Sequence, residues 1–196
     1  MKESSRRTNK EWTEGTRAAL AEAAQRLFAS RGFADVSAEE IAREAGLTRG
    51  AIQYQFGDRR GLFAYVFDRV LARVGTDLSS ATMDHAHGVH EVAAGTEIFA
   101  KAVANGAVER IMLIDGPAVL GWAEWQDRCR RVGLPLLIHG LGHWAEAGII
   151  KQDEVPGLAD LLLASTLHAG LAAANGDAEP SRALQRLIHR LVAGAH

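Results

Sequence analysis

The sequence predicts an all-α protein: a small N-terminal three-helix domain carrying a helix-turn-helix, joined to a larger C-terminal helical domain. Three observations carry this prediction. Apolar residues recur at helical spacing along most of the chain, while β-branched runs are scarce beside Ala, Leu, Arg and Glu. Only four prolines interrupt the 196 residues, and glycines fall where helices would end. Near residue 40, two short segments with helix-start signals flank a Gly-containing turn.

Each element can be justified in order. Residues 1–14 are polar and mostly without periodicity, and are expected to form a flexible basic arm. From Thr16, Leu20, Ala23, Ala24, Leu27 and Phe28 recur on one helical face, and Gly32 ends that helix. Ser37 followed by Glu40 is a capping-box pattern, and Val36 with Ile41 forms a hydrophobic staple across it. This second helix ends at Gly46. Leu47 and Thr48 repeat the arrangement, with Thr48 as N-cap of a third helix reaching about Phe56. Gly57-Asp58 breaks the chain again, and Asp58 caps a long fourth helix whose apolar face runs from Leu62 to Val74. The segment SSATMDHAHGVHEVAAG reads as a loop or weak helix start. Further helices are expected near 91–104, 107–114, 117–131, 134–147, 157–175 and 180–193, punctuated by Gly106, Gly116-Pro117, Gly133, Gly148, Pro156 and Gly176. The expected division is an arm at 1–14, a helix-turn-helix domain at 15–62 and a C-terminal domain at 63–196.

Composition excludes several classes. With 47% apolar and 23% charged residues the chain can bury a core and is not disordered. No apolar run approaches the roughly 18–20 residues that span a bilayer, and MKESSRRTNKEW has no hydrophobic segment behind it, so a secretory signal is not expected. A single cysteine, Cys129, rules out an internal disulfide and fits a reducing compartment. The expected location is the cytoplasm, with no membrane partner and no cofactor. The formal net charge is −2, but it is unevenly spread: residues 1–62 hold 11 of the 22 basic and 9 of the 24 acidic side chains. Screening over about 8–10 Å makes the local patch, not the whole-chain charge, decisive for an anionic partner.

That patch lies on the third helix. Ala51, Ile52 and Phe56 can face inward, which leaves Thr48, Arg49, Gln53, Tyr54 and Gln55 outward, with Gly50 permitting close approach. Arg matches guanine O6/N7, Gln matches adenine N6/N7, and hydroxyls suit phosphates. The helix starts after Ser37 and Asp58 would offer free N–H groups to phosphates, with Arg59 adding a full charge at the second. The expected partner is double-stranded DNA. Lys2, Arg6, Arg7 and Lys10 would extend the footprint along a groove.

The run AAQRLFASRGFADVSAEEIAREAGLTRGAIQYQFGDRRGLF resembles the N-terminal domain of the tetracycline-repressor (TetR) family of bacterial transcription regulators. The likeness rests on Leu-Phe before Arg31-Gly32-Phe33, on Ser37, Ile41-Ala42, Ala45-Gly46-Leu47, Gly50-Ala51-Ile52, Tyr54, Phe56 and Leu62-Phe63. It implies an all-helical homodimer in which a small molecule in the C-terminal domain shifts the spacing of two DNA-reading heads and releases the operator. The sequence departs from the family pattern at Gln53, Tyr54 and Gln55, where two aromatics and a histidine are frequent, and at Arg59, where lysine is usual.

In the C-terminal domain, LADLLLASTLHAGLAAANG combines a leucine face with small residues that allow close helix approach. With the last helix it nominates Leu161, Ser165, His168, Ala169, Ala172, Leu184, Leu187, Ile188 and Leu191 for a dimer interface, and the resemblance implies a four-helix bundle formed with a twin. Candidate lining for a small-molecule pocket is Met112, Trp122, Trp125, His139 and His143, joined by Phe67, Leu71, Phe99 and His168. The cluster Asp84, His85, His87, His90 and Glu91 reads as a polar loop rather than a metal site, and no metal ligand is assigned. An enzyme finds no support: Cys129 stands between charged pairs without a motif, and His139 and His143 share a helix face without a Glu-x-x-His pattern.

Overall fold

The computed structural model describes Lys2–Asp84 and Gly88–Gly194, and the described residues contain helices and no strand. The chain divides into two compact units, one ending at Arg69 and the other starting at Val70. The division falls inside the fourth helix rather than after Leu62, because Leu62, Phe63, Val66 and Phe67 are all buried. Phe28, Phe33 and Phe63 form a ring cluster with centroids 5.2–5.5 Å apart in tilted and edge-on arrangements. Those are the geometries that the aromatic quadrupole favours.

In the first unit α1 is Lys2–Arg31, α2 Ala38–Glu44 and α3 Arg49–Phe56, while α4, Arg59–Asp84, continues into the second. The backbone is helical from Lys2, not an arm. The reason is local: no proline or glycine precedes Gly15, so the helix begun by the Leu20–Phe28 face propagates towards the N-terminus. The groove-following role expected for Lys2, Arg6, Arg7 and Lys10 falls on side chains outside those described. Between α2 and α3, Gly46 takes φ +67°. Its N–H donates to Arg43 O at 3.1 Å, and that of Leu47 donates to Ala42 O at 2.8 Å. This is the Schellman pair, which needs a left-handed residue and therefore favours glycine. At the start of α4, Asp58 accepts from the Gly61 N–H at 2.6 Å, as its capping position predicts.

In the second unit α5 is Glu91–Val103, α6 the single turn Gly106–Val108, α7 Gly116–Leu120, α8 Trp122–Glu146, α9 Val155–Ala174 and α10 Glu179–Ala193. A π-helical stretch, Glu109–Asp115, joins α6 to α7, and a 3-10 turn, Gln152–Glu154, precedes α9. One core gathers Val92, Leu141, Trp144, Ala159, Ile188 and Val192. Two tryptophans tie elements together through buried ring N–H groups: Trp125 donates to Met112 O at 2.8 Å and Trp144 to Val89 O at 2.7 Å.

Three features differ from expectation. The helix after Gly57 continues through Asp84, because SSATMD contains neither glycine nor proline to stop it. The break expected at Gly133 lies instead at Gly121, whose φ of +85° ends α7 and starts α8. Gly133 serves packing: a Cβ there would stand 2.6 Å from Leu163 Cδ1, so its bare backbone lets α9 close onto α8. The third concerns apolar length. Gln152–Ala174 is long and apolar enough to cross a membrane by length and composition, contrary to the expectation that no run approaches that size.

Candidate functional site

The helix-turn-helix presents a polar face. Thr48, Arg49, Gly50, Gln53 and Tyr54 are exposed, Gln55 is half-buried and Ile52 is buried. Phe56 packs on Tyr65 with ring centroids 5.3 Å apart. The guanidinium of Arg17 covers both rings, at 5.1 and 4.4 Å from their centroids, and so clips α1 to α3 and α4. Thr48 occupies the N-cap of α3, but its hydroxyl makes no capping bond. Arg49 pairs with Glu39 at 2.7 Å, both side chains being largely exposed.

Two of the expected phosphate donors are occupied. At the start of α2 the Ser37 hydroxyl accepts from Glu40 N–H at 3.2 Å, and the Glu40 carboxylate accepts from Ser37 N–H at 2.8 Å. Arg31 adds a contact to the same carboxylate at 2.9 Å. The Ser37 backbone N–H first, then Arg31 and the Ser37 hydroxyl, hold the Glu40 carboxyl well below its ordinary value, at about 2. This helix end thus carries its own anion and presents fewer free N–H groups than expected, because the capping box consumes them. Arg59 is also engaged: Nη1 donates to Phe33 O at 3.1 Å and to Val36 O, and the guanidinium stacks on the Phe33 ring. A surface cleft in this unit is bordered by Ser37, Glu39, Arg49, Gln53, Asp58 and Arg59.

The second unit holds an apolar cavity with about 770 Å³ of empty space, its open mouth included. Leu71, Phe99 and Met112 line it, as expected from sequence, together with Val132, Leu136, Leu163 and Leu167. Thr96 and Thr166 contribute hydroxyls. That of Thr96 donates to Ala93 O at 2.8 Å, whereas the buried Thr166 hydroxyl has no hydrogen-bond partner. Six expected residues lie elsewhere. Trp125 is spent on the Met112 carbonyl, Trp122 and His168 are exposed, and Phe67 is buried in the first unit. His139 and His143 stand beside the lining residue Glu91 rather than on the lining.

The lining residues that sequence reading missed come from α4, α5 and α8 and, for Leu163, Thr166 and Leu167, from α9. That helix is apolar on nearly every side, so periodicity cannot tell its inner from its outer face. The structure separates them. Leu163, Thr166, Leu167 and Gly170 turn inward, while Leu161, Ser165 and His168 point outward with Ala172 half-exposed. On the outer surface Leu161, Leu187 and Leu191 are 66%, 54% and 47% exposed. Ala169 and Ile188, expected at an interface, are instead buried inside the fold, and Leu184 is half-buried. Isolated exposed leucines are ordinary; these three fall on two helices that pack against each other.

The expected polar cluster at Asp84–Glu91 falls partly outside the described residues, which exclude His85 and His87. Glu91 turns instead towards His139 and His143 of α8, and the three ligand atoms lie within 4.8 Å of one another. Burial pushes the Cys129 thiol up to about 12, which leaves it protonated and unreactive at neutral pH.

Residues 20–66 match the family model described as bacterial regulatory proteins, tetR family, and residues 89–195 match the tetracyclin repressor-like C-terminal domain. The chain is 37% identical over 102 residues to the HTH-type transcriptional repressor BepR of Brucella suis, a stretch covering 48% of this chain and 47% of that one. It is 38% identical over 69 residues to the HTH-type transcriptional regulator AcrR of Shigella flexneri, covering 35% and 32%. These matches span less than half the length of those relatives. Among solved structures, a TetR-family transcriptional regulator from Pectobacterium atrosepticum superposes with a TM-score of 0.76 at 27% identity, covering 94% and 92% of the two chains. RolR in complex with resorcinol gives a TM-score of 0.74 at 20% identity over 95% of each chain, a likeness of fold.

Proposed function

The chain belongs to the TetR family of bacterial regulatory proteins, and from that premise we propose that it is a homodimeric repressor released from a palindromic operator by a small apolar or amphipathic effector. Regulators of this family bind DNA and are not enzymes. The observation that carries the effector half of the reading is the cavity. Its wall is largely apolar, and one residue that lines it, Thr166, carries a buried hydroxyl without a hydrogen-bond partner. A buried, unsatisfied hydroxyl costs about 1–3 kcal/mol, which a ligand donor or acceptor would recover. An effector with one hydroxyl on a ring or chain therefore suits the site better than a charged one. RolR, whose structure contains resorcinol, takes an uncharged ring with hydroxyl groups.

On this reading Gln53, Tyr54, Gln55, Arg49 and Thr48 meet the operator, with Gln53 reading a base and Arg49 exchanging Glu39 for a phosphate. Two copies would associate through the outer faces of α9 and α10, where Leu161, Leu187 and Leu191 are exposed. Such an interface would also account for the apolar length of α9 without a membrane, and a DNA partner fits a cytoplasmic location. α4 is the element common to both units: its first residues follow the helix-turn-helix, and Leu71 and Val74 line the cavity. Cavity occupancy would act on the DNA-reading unit through that helix.

The intergenic DNA beside the protein's own gene is the test substrate. Compounds that raise the thermal transition, resorcinol among them, should weaken operator binding, and Leu136→Trp, which fills the cavity, should abolish that response while preserving DNA affinity. Operator affinity unchanged by every compound that binds the cavity would make this a ligand-independent regulator.

A further inference from the structure

The geometry points to a second site beside the cavity: we propose that Glu91, His139 and His143 bind a divalent transition-metal ion of the zinc type through three protein ligands. The site stands independently of the effector reading. His139 and His143 lie one turn apart on α8 and so share a face. Their rings meet edge-on at 5.1 Å between centroids. Glu91 reaches them from the first turn of α5, its side chain only 11% exposed. Oε2 stands 3.3 Å from His143 Nε2, and Oε1 stands 3.7 Å from His139 Nε2.

Those separations match the edge of a coordination polyhedron. Zinc takes imidazole nitrogen and carboxylate oxygen at about 2.0–2.2 Å, which puts neighbouring tetrahedral ligands about 3.3–3.5 Å apart. The Glu91–His143 pair already has that spacing. His139, whose side chain is 68% exposed, stands at 3.7 Å from Glu91, and the three ligand atoms lie within 4.8 Å of one another.

Two further observations mark the cluster as built. His143 Nε2 is buried and without a hydrogen-bond partner, although a carboxylate faces it. On the opposite side of the ring Nδ1 meets Glu146 Oε2 at 3.3 Å. A carboxylate on the far nitrogen is the usual outer partner of a metal-bound imidazole: it holds the proton on Nδ1 and turns the Nε2 lone pair outward. In that tautomer the Nε2 lone pair would face the Glu91 carboxylate oxygen 3.3 Å away, an arrangement that a cation between them turns into coordination. The second observation concerns Gly140, which lies between the two histidines. A Cβ there would stand 3.0 Å from Val92 Cγ2, so the missing side chain lets α5 come close enough to deliver Glu91.

Two imidazoles and one carboxylate suit Zn²⁺, Co²⁺, Ni²⁺ or Fe²⁺ and leave at least one coordination position open to water or a ligand. Glu91 and Gly140 also line the cavity. An ion here would pin α5 to α8, two of its walls.

The full-length, untagged protein, freed of metal with a chelator, is titrated with Zn²⁺ by calorimetry and with Co²⁺ by visible absorption. The expected result is one ion per chain with intense Co²⁺ ligand-field bands, and at least a ten-fold loss of affinity in each of Glu91→Gln, His139→Gln and His143→Gln. Glu146→Gln should lose about 10–100-fold, as outer partners do. His139→Gln alters an exposed side chain and keeps the test valid if the buried variants fail to fold. The proposal is overturned if the wild type binds neither ion. It is equally overturned if the three variants bind as the wild type does while His85→Ala/His87→Ala does not, which would move binding to the segment before α5.

Discussion

The guanidinium of Arg59 lies 4.0 Å above the ring of Phe33, and its Nη1 donates to the carbonyls of Phe33 and Val36. The side chain most readily assigned to a phosphate therefore also braces the loop between α1 and α2. Arg59→Ala should lower unfolding stability by about 1–3 kcal/mol, from lost charged hydrogen bonds and ring stacking. It should also weaken DNA binding uniformly across sequences, with a shallower salt dependence. Arg59→Lys keeps the charge but not the fork, so it separates the two roles: stability falls while the salt slope stays. Chemical denaturation and salt titrations of operator binding measure both. An unchanged denaturation midpoint in Arg59→Ala would remove the bracing role.

Glu40 makes α2 acid-sensitive. Its carboxyl titrates near 2 in the folded protein against an ordinary 4.5. A depressed folded value means that its stabilising contribution is complete above about pH 4.5 and is lost as the pH falls towards 2. Glu40→Gln should be less stable than the wild type at pH 6, and the difference should shrink steadily across that window. Thermal unfolding at half-unit pH steps records it, and a pH-independent difference would mean that the effect is not ionic.

Gln53 is exposed on α3, next to the buried Ile52. Gln53→Ala should reduce discrimination between the preferred operator and single-base variants by about 1–3 kcal/mol. Binding to a panel of operator variants decides the matter. Equal loss on every sequence would assign Gln53 to the backbone instead.

Leu161 and Leu187 test the proposed dimer. Leu161→Glu with Leu187→Glu places charges on the outer faces of α9 and α10, and should weaken self-association by about 2–4 kcal/mol or more while leaving the helical content unchanged. Sedimentation at micromolar concentration should show a dimer for the wild type and a monomer for the variant. A variant that still sediments as a dimer would place the interface elsewhere.

Much of the helix-turn-helix could be read directly because its signals are local. The Ser37–Glu40 box, the Schellman turn at Gly46 and the Asp58 cap close over three to five residues, so spacing alone specifies them. Gly133 shows where that logic stops. In sequence it is indistinguishable from a helix terminator, yet α8 runs through both it and Pro135 because Leu163 packs against its bare Cα. The inner face of α9 was equally unreadable, since a helix apolar all round has no phase to detect, and the cavity-lining Leu163, Thr166 and Leu167 went unassigned.

Residue order and spacing alone thus determined the all-helical class, the caps and turn of the helix-turn-helix, and the outward placement of Thr48, Arg49, Gln53 and Tyr54. Tertiary structure decided what distant segments do together. It committed Arg59 to carbonyls 23 and 26 residues away, left Thr166 unpartnered in an apolar wall, and brought Glu91 to His139 and His143. Hydrogen bonds within one turn follow from the chain's own geometry. Contacts across tens of residues exist only once burial of the apolar faces has offset the entropy of closing the intervening chain, and no local pattern encodes which groups then meet.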